Sequence, residues 1–494
     1  MRLRLSRKKD IPLRILYVTS EAFPLIKTGG LADVSGSLPA AFRHLGEDVR
    51  LLIPGYPQVL SKLRNTRPLL DLKWLPMVGN VRLVLGEMPE TGVPVIAVDL
   101  PQLYVRDGGP YLDPQGHEWA DNPLRFGTLS RIAAILASKA SPLSDWIPDV
   151  VHCNDWQCGL TPAYMHYSGS PCAKSVLGVH NLAFQGNFPA EWVDRLGLPH
   201  EGFSINGFEY YGQLSFLKAG VFYSDSIATV SPTYAHEIQT AEYGFGLQGL
   251  LATRSKDIHG ILNGIDTDEW DPAQDAHLPQ TYDSRSLNKK EAVKLALQQR
   301  LSLNQDADVP LLGVVSRLTS QKGLDLFLKC AVPLLDQGCQ IAVLGGGDPA
   351  LEQGFLQLAH AHPQQVSVTI GYNEPLSHLI MAGTDIFIMP SRFEPCGLNQ
   401  MYGLRYGTPP VVRRTGGLAD SVHNTTATSL ANNSANGFVF DLPNTKELLT
   451  TIQRALSSYG NKVEWRQIQQ NGMAVDLSWD HSAQEYLNIY RSLM

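Results

Sequence analysis

The chain has 494 residues, 44% of them hydrophobic and 18% charged, with 40 Lys and Arg against 47 Asp and Glu. That length exceeds one ordinary core, so two domains are expected, while the mildly acidic balance argues against a general affinity for nucleic acid. No apolar run reaches the roughly 18 residues that span a bilayer, and six cysteines without a C-x-x-C pair indicate neither a disulfide scaffold nor a zinc site, which suits a soluble protein of the reducing cytoplasm.

The first ten residues, MRLRLSRKKD, carry five basic side chains, but no apolar core or small-residue cleavage site follows, so they read as a basic lead-in and not a signal peptide. Short apolar runs then alternate with helical patterns: RILYVTS, a helix from about Gly30, DVRLLIP, VPVIAVD, a helix through LRFGTLSRIAAILASKA, DVVHC, KSVLGVH and SIATV. Strands buried on both faces, with helices as crossovers, make a mostly parallel sheet. After a polar, weakly patterned interval over residues 271–290 the series restarts with PLLGVVSR, QIAVLGGG, QVSVTIG, DIFIMPS, PPVVRRT and GFVFD, and residues 480–493 read as a last helix. The expected organisation is α/β: two doubly wound, Rossmann-like domains facing a central cleft, with ligands at the carboxyl ends of the strands. The first domain is expected over residues 1–262 and the second over 263–473. Residues 474–494 form a C-terminal helix that can pack back on either domain, the N-terminal one being favoured.

Several stretches carry candidate chemistry. Lys27 and the adjacent Gly29 and Gly30 open a helix directly after the first strand, where backbone N–H groups and the helix dipole suit an anion; a tight turn with a solvated lysine is the plainer alternative. Arg317 follows a buried strand and Lys322 lies five residues on, a pair suited to a diphosphate, or else two surface cations. Glu394, in EPCGL, is placed by Pro395 and Gly397 to meet sugar hydroxyls, unless it merely caps the next helix. His180 ends a strand and Asp155 follows one, and each alone is as well explained by structure as by chemistry. GGGDPA fits the loose dinucleotide fingerprint but sits in the second series without the expected acidic partner, and reads as a turn. The D-x-D at Asp266 and Asp268 resembles a metal motif but lies in the interval between the series. TGGLAD occurs twice, at residues 28–33 and 415–420, which reads as one strand-to-helix turn used in two similar domains, with helix-start geometry favoured over ligand contact for the second.

Taken in order, KTGGLADV, NDW, VHNLAFQG, LNGID, SRLTSQKG, SRFEPCGLNQ and RRTGGLAD closely resemble bacterial glycogen synthases and plant starch synthases over nearly the whole chain. The resemblance implies a GT-B fold and transfer of glucose from ADP-glucose to the 4-hydroxyl at the non-reducing end of glycogen or another α-1,4-glucan, with retention of configuration. It implies donor-phosphate contacts at Lys27, Gly29 and Gly30, diphosphate stabilisation by Arg317 and Lys322, and orientation of the donor glucose by Glu394 with Cys396, Gly397 and Leu398 lining the site. By the same resemblance His180 flanks the anomeric carbon and Asp155 contacts the sugar, with Asn263, Tyr372, Asp33 and Glu21 as further substrate contacts. No cofactor or metal is implied, nor any nucleic-acid or membrane partner. Gln157 stands where many relatives have His, and Ser35 replaces a commonly apolar residue. Competing readings are a GT-B transferase using a UDP- or GDP-sugar, a catalytically silent glucan-binding protein, and a nicotinamide-dependent oxidoreductase.

Overall fold

The computed structural model describes residues 11–494; the basic lead-in lies outside them. The chain divides into two compact units. The first comprises residues 11–230, Ala235–Ile261 and Trp479–Met494, and the second Ser231–Tyr234 and Leu262–Ser478.

The sheet of the first unit has nine strands in the spatial order Ile258–Gly260, Ser226–Thr229, Lys174–Val179, Val150–Asn154, Arg14–Val18, Asp48–Pro54, Pro94–Asp99, Gly79–Glu87 and Arg64–Leu75. It is parallel except at the last two strands, which form an antiparallel hairpin on one edge. This hairpin is missing from the sequence reading, because its strands carry Arg64, Arg67, Lys73 and Arg82 and alternate too weakly to resemble the buried runs. Charge on an edge strand protects it from pairing with other chains. The central strands are apolar on both faces because helices such as Gly30–His44 and Asn122–Ala137 cover them. Inside the first of these helices, the Ser35 hydroxyl meets Thr19 Oγ1 at 2.9 Å, so the polar substitution is satisfied within the core.

The last helix, Trp479–Ser492, belongs to this unit. Tyr490 and Tyr486 set their rings 5.6 and 6.3 Å from Phe42, the Tyr490 hydroxyl bonds the buried His152 Nδ1, and Arg491 reaches Glu47 at 2.6 Å. Residues 474–478 stay with the second unit, where Leu477 accepts a backbone hydrogen bond from Ile265.

The second unit is a six-stranded, wholly parallel sheet in the order Val366–Ile370, Gln340–Gly345, Leu311–Val315, Ile386–Met389, Pro410–Arg413 and Phe438–Phe440. The polar interval over residues 271–290 is not a solvated linker. Trp270 stacks on both His378 and Tyr402 with centroids 3.8 Å apart, and the Tyr282 hydroxyl donates to the Tyr406 carbonyl at 2.8 Å. Too few aromatic anchors are spaced irregularly here for periodicity to reveal the packing. No helix among the described residues is long and apolar enough to cross a membrane.

Candidate active site

In an open α/β sheet, ligands bind beyond the carboxyl ends of the strands where strand order reverses. Each unit has one such point. In the first unit it lies between Arg14–Val18 and Val150–Asn154, and in the second between Leu311–Val315 and Ile386–Met389. Most of the residues singled out from the sequence emerge from these strands.

In the first unit, Glu21 is buried and accepts hydrogen bonds from the backbone N–H groups of Thr28 and Gly29, at 2.5 and 3.2 Å, and from the Tyr111 hydroxyl at 3.1 Å. Burial, offset in part by these donors and reinforced by the charge of Asp155, holds its carboxyl above the usual carboxylate range. Lys27 extends outward and pairs with Asp33 at 2.7 Å. Gly29 and Gly30 are exposed, and a Cβ on either would meet no protein atom within 4 Å. Nothing inside the protein demands glycine at these positions; they leave open space in front of a helix start.

Asp155 leaves its strand with φ of 52°, an uncommon conformation for a residue with a side chain. Its Oδ1 accepts from the backbone N–H of His180 at 2.7 Å and more distantly from that of Asn181 at 3.5 Å. Burial pushes the Asp155 carboxyl up to about 7. His180 Nε2 lies 2.9 Å from Asn154 Oδ1, and the Asn154 amide nitrogen donates to the Val18 carbonyl at 2.8 Å. The asparagine oxygen is therefore the acceptor, His180 carries its proton on Nε2, and Nδ1 is the basic nitrogen. Burial pushes the imidazole down to about 4, so it is neutral near pH 7. Asn154 and Tyr111 complete this cluster and are absent from the sequence reading; Asn154 adjoins Asp155 in HCND, whereas nothing local marks Tyr111. Gln157 is buried nearby, and its Oε1 has no hydrogen-bond partner among the described residues.

In the second unit, Lys322 Nζ and Glu394 Oε2 form an ion pair at 2.6 Å, with their side chains only 16% and 7% exposed. Ser391 Oγ donates to the same carboxylate oxygen at 2.9 Å. Glu394 therefore does not act as a helix cap; the helix that follows begins only at Asn399. Asn399 ties this loop to the neighbouring strand through the Val315 carbonyl at 2.6 Å. Arg317 is exposed and makes no ion pair with any described residue. Its loop passes directly over the glycine run: a Cβ at Gly345 would lie 1.8 Å from the Ser316 carbonyl oxygen, and one at Gly347 2.6 Å from that of Leu318. The run thus makes room for the backbone that carries Arg317.

Cys396 is buried, and burial pushes its thiol up to about 12, so it packs as a neutral group. The Asn263 backbone N–H points at this thiol, while Asn263 Oδ1, buried, has no hydrogen-bond partner among the described residues. A buried amide oxygen in that state is suited to a ligand donor. Gly397 has φ of 72° and turns the chain beside Glu394 into the half-buried Leu398. Tyr372, 80% exposed, stands beyond the edge strand, two strands away from the reversal point. Asp266 caps its own turn, accepting from the backbone of Asp268 and Glu269 at 3.0 and 3.1 Å, so the D-x-D is a local turn.

Two mostly parallel sheets, each with charged and polar side chains gathered where strand order reverses, are the plan of a GT-B glycosyltransferase. A sucrose-phosphate synthase from Thermosynechococcus elongatus shares the fold, with a TM-score of 0.59 at 15% identity over 97% of this chain and 99% of that one. Residues 14–253 match the starch synthase catalytic domain and residues 297–472 the group 1 glycosyl transferases. A glycogen synthase of Nitrosomonas eutropha is 54% identical over 99% of this chain and 97% of its own length, and one of Nitrosospira multiformis 53% identical over 98% and 97%. The catalytic domain of starch synthase IV from Arabidopsis thaliana, bound to ADP and acarbose, superimposes with a TM-score of 0.87 at 31% identity, covering 98% of this chain and 99% of that one. The chain belongs to the glycogen synthase and starch synthase family.

Proposed function

We propose that the enzyme transfers glucose from ADP-glucose to the 4-hydroxyl at the non-reducing end of glycogen or a related α-1,4-glucan, with retention of configuration, in the cytoplasm. The observation that carries the assignment of roles is the Lys322–Glu394 pair at the reversal point of the second unit, with Arg317 in the loop after the adjoining strand Leu311–Val315. The ADP-bound starch synthase supports the choice of nucleotide.

Breaking the bond from glucose to phosphate builds negative charge on ADP and positive charge on the sugar. Cations set in place beforehand stabilise that transition state more than the ground state. Arg317 and Lys322 take the diphosphate, and Lys27 with the Gly29 and Gly30 backbone is a further donor-phosphate contact. These three cations supply charge that a bound metal supplies in other transferases, so the chemical step is assigned to them. Glu394 orients the donor glucose. One of its oxygens already holds Lys322 and Ser391, which suits positioning and electrostatic stabilisation of the sugar cation better than nucleophilic attack. The neutral His180 imidazole flanks the anomeric carbon and offers Nδ1 to the sugar, and Asp155 and Asn263 are further contacts. Cys396, Gly397 and Leu398 line the donor site, with Tyr372, Asp33 and Glu21 at its margins.

Radiolabelled ADP-glucose, UDP-glucose and GDP-glucose, each incubated with glycogen and EDTA, test this directly. Elongation from ADP-glucose is expected, with kcat at saturating donor unchanged by EDTA. Failure to extend glycogen from any donor would overturn the synthase assignment, and a collapse of kcat with EDTA would overturn the role given to the three cations.

A further inference from the structure

Helix Glu374–Gly383 opens with Glu374 and carries His378 one turn later, on the same face. The stacking of Trp270 on the His378 ring brings the adjoining Glu269 over that face. His378 is held from behind: its Nδ1 lies 2.8 Å from Asp275 Oδ2, an oxygen that also accepts from the Tyr406 hydroxyl at 2.6 Å. With Nδ1–H given to the carboxylate, the other ring nitrogen is the one that faces the cluster. The His378 side chain is 1% exposed, its Nε2 has no hydrogen-bond partner among the described residues, and Glu374 Oε1 stands 3.6 Å from it, beyond hydrogen-bond length.

We propose that His378 Nε2, Glu374 and Glu269 bind a divalent transition-metal ion, Zn2+ being the best suited to this nitrogen and carboxylate set. One ligand atom from each of the three residues lies within 4.8 Å of the others. Metal bonds of about 2.0–2.2 Å place donors about 3.3 Å apart, so the Glu374–His378 spacing is already near that value and the exposed Glu269 has only a short way to move. The Asp275–His378 bond is the outer-shell contact that commonly fixes the orientation of a metal-binding histidine. Carboxylates on both sides of a buried ring call for a cation at Nε2. The buried ring has the Asp275 carboxylate at Nδ1 and the Glu374 carboxylate near Nε2, so a metal ion at Nε2 takes the place a proton would hold. The D-x-D one residue upstream is not the site; it forms the turn that presents Glu269.

Such an ion would join the segment that follows Asn263 to the helix that follows Tyr372, steadying two proposed donor contacts from behind. That consequence rests on the donor site proposed above; the binding of metal does not. The test uses the full-length protein stripped with EDTA and titrated calorimetrically with Zn2+ in two buffers of different ionisation enthalpy, and with Co2+ followed by visible absorption. About one equivalent should bind per chain, and affinity should fall at least tenfold in the Glu269→Gln, Glu374→Gln double variant. Should that variant unfold, Glu269→Gln alone, at an exposed position, carries the comparison. Absence of saturable binding, equal binding by the variant, or a His378 Nε2 resonance unmoved by excess Zn2+ in 15N NMR would overturn the proposal. Enzymatic activity is not the readout, so a different sugar donor would leave the result intact.

Discussion

The two TGGLAD segments have the same six residues and opposite surroundings. In the first, Gly29 and Gly30 face open space, Thr28 and Gly29 direct their N–H groups at Glu21, and Asp33 pairs with Lys27 in solvent. In the second, Gly416 and Gly417 are buried against the loop that carries Glu394. A Cβ on Gly416 would lie 1.9 Å from the Glu394 carbonyl oxygen, and one on Gly417 2.2 Å from that of Cys396. Gly417 N–H donates to the Glu394 and Pro395 carbonyls at 3.2 and 3.1 Å, and Asp420 holds Thr233 through its backbone N–H and its hydroxyl at 2.8 and 2.7 Å. One copy leaves room for something outside the protein, and the other braces the loop of Glu394 from within. A local sequence specifies the turn; its neighbours specify the task.

The largest effects should come from Glu394, on the loop that the second copy braces, and from its partner Lys322. Lys322→Ala and Glu394→Ala are each expected to lower kcat on the order of 100-fold, the usual cost of removing one preorganised electrostatic partner, with thermal unfolding still cooperative. A rate within a fewfold of wild type in either variant would break the link between brace and chemistry. A middle-sized effect separates the two aspartates. Asp420→Ala removes the partner of a half-buried N–H and hydroxyl and should cost about 1–3 kcal/mol in urea unfolding, whereas Asp33→Ala loses an exposed ion pair worth roughly 0–1 kcal/mol. Equal losses would erase the distinction. A pH-dependent effect concerns the acidic neighbourhood of the first copy. The native state keeps the Asp155 proton up to about pH 7, whereas the unfolded chain releases it near pH 4. The native state therefore binds more protons across that window, and this group's contribution to stability falls as pH rises from about 4 to about 7. Asp155→Asn should flatten that part of the urea-midpoint profile; an unaltered slope would assign it to other groups.

Much of the fold is legible in the sequence because strands buried on both faces are continuous apolar runs, and the reversal points follow from their order. What escapes is whatever depends on partners distant in the chain. The charged edge hairpin over residues 64–87 lacks an apolar signature, and residues 271–290 look like a linker because a few aromatic anchors, not a period, pack them. At the site, Lys322 and Glu394 are legible as residue types at strand ends, but their pairing across 72 residues is not, and neither is the use of Ser391 and Asn399 to hold the loop. Asp266 and the glycine run over residues 345–347 show the converse, since both resemble ligand motifs and both prove to be local turn and packing devices.

Kinetics and thermal unfolding of Gly29→Ala and Gly417→Ala, measured side by side, test the contrast most directly. Gly29→Ala should leave the unfolding temperature nearly unchanged, because the added methyl meets no protein atom, and should raise the donor KM about tenfold or more by crowding the phosphates. Gly417→Ala should lower the unfolding temperature and reduce kcat as the Cys396 backbone is pushed aside. Wild-type KM and kcat in Gly29→Ala, or an undiminished unfolding temperature and kcat in Gly417→Ala, would contradict the division of labour between the two copies.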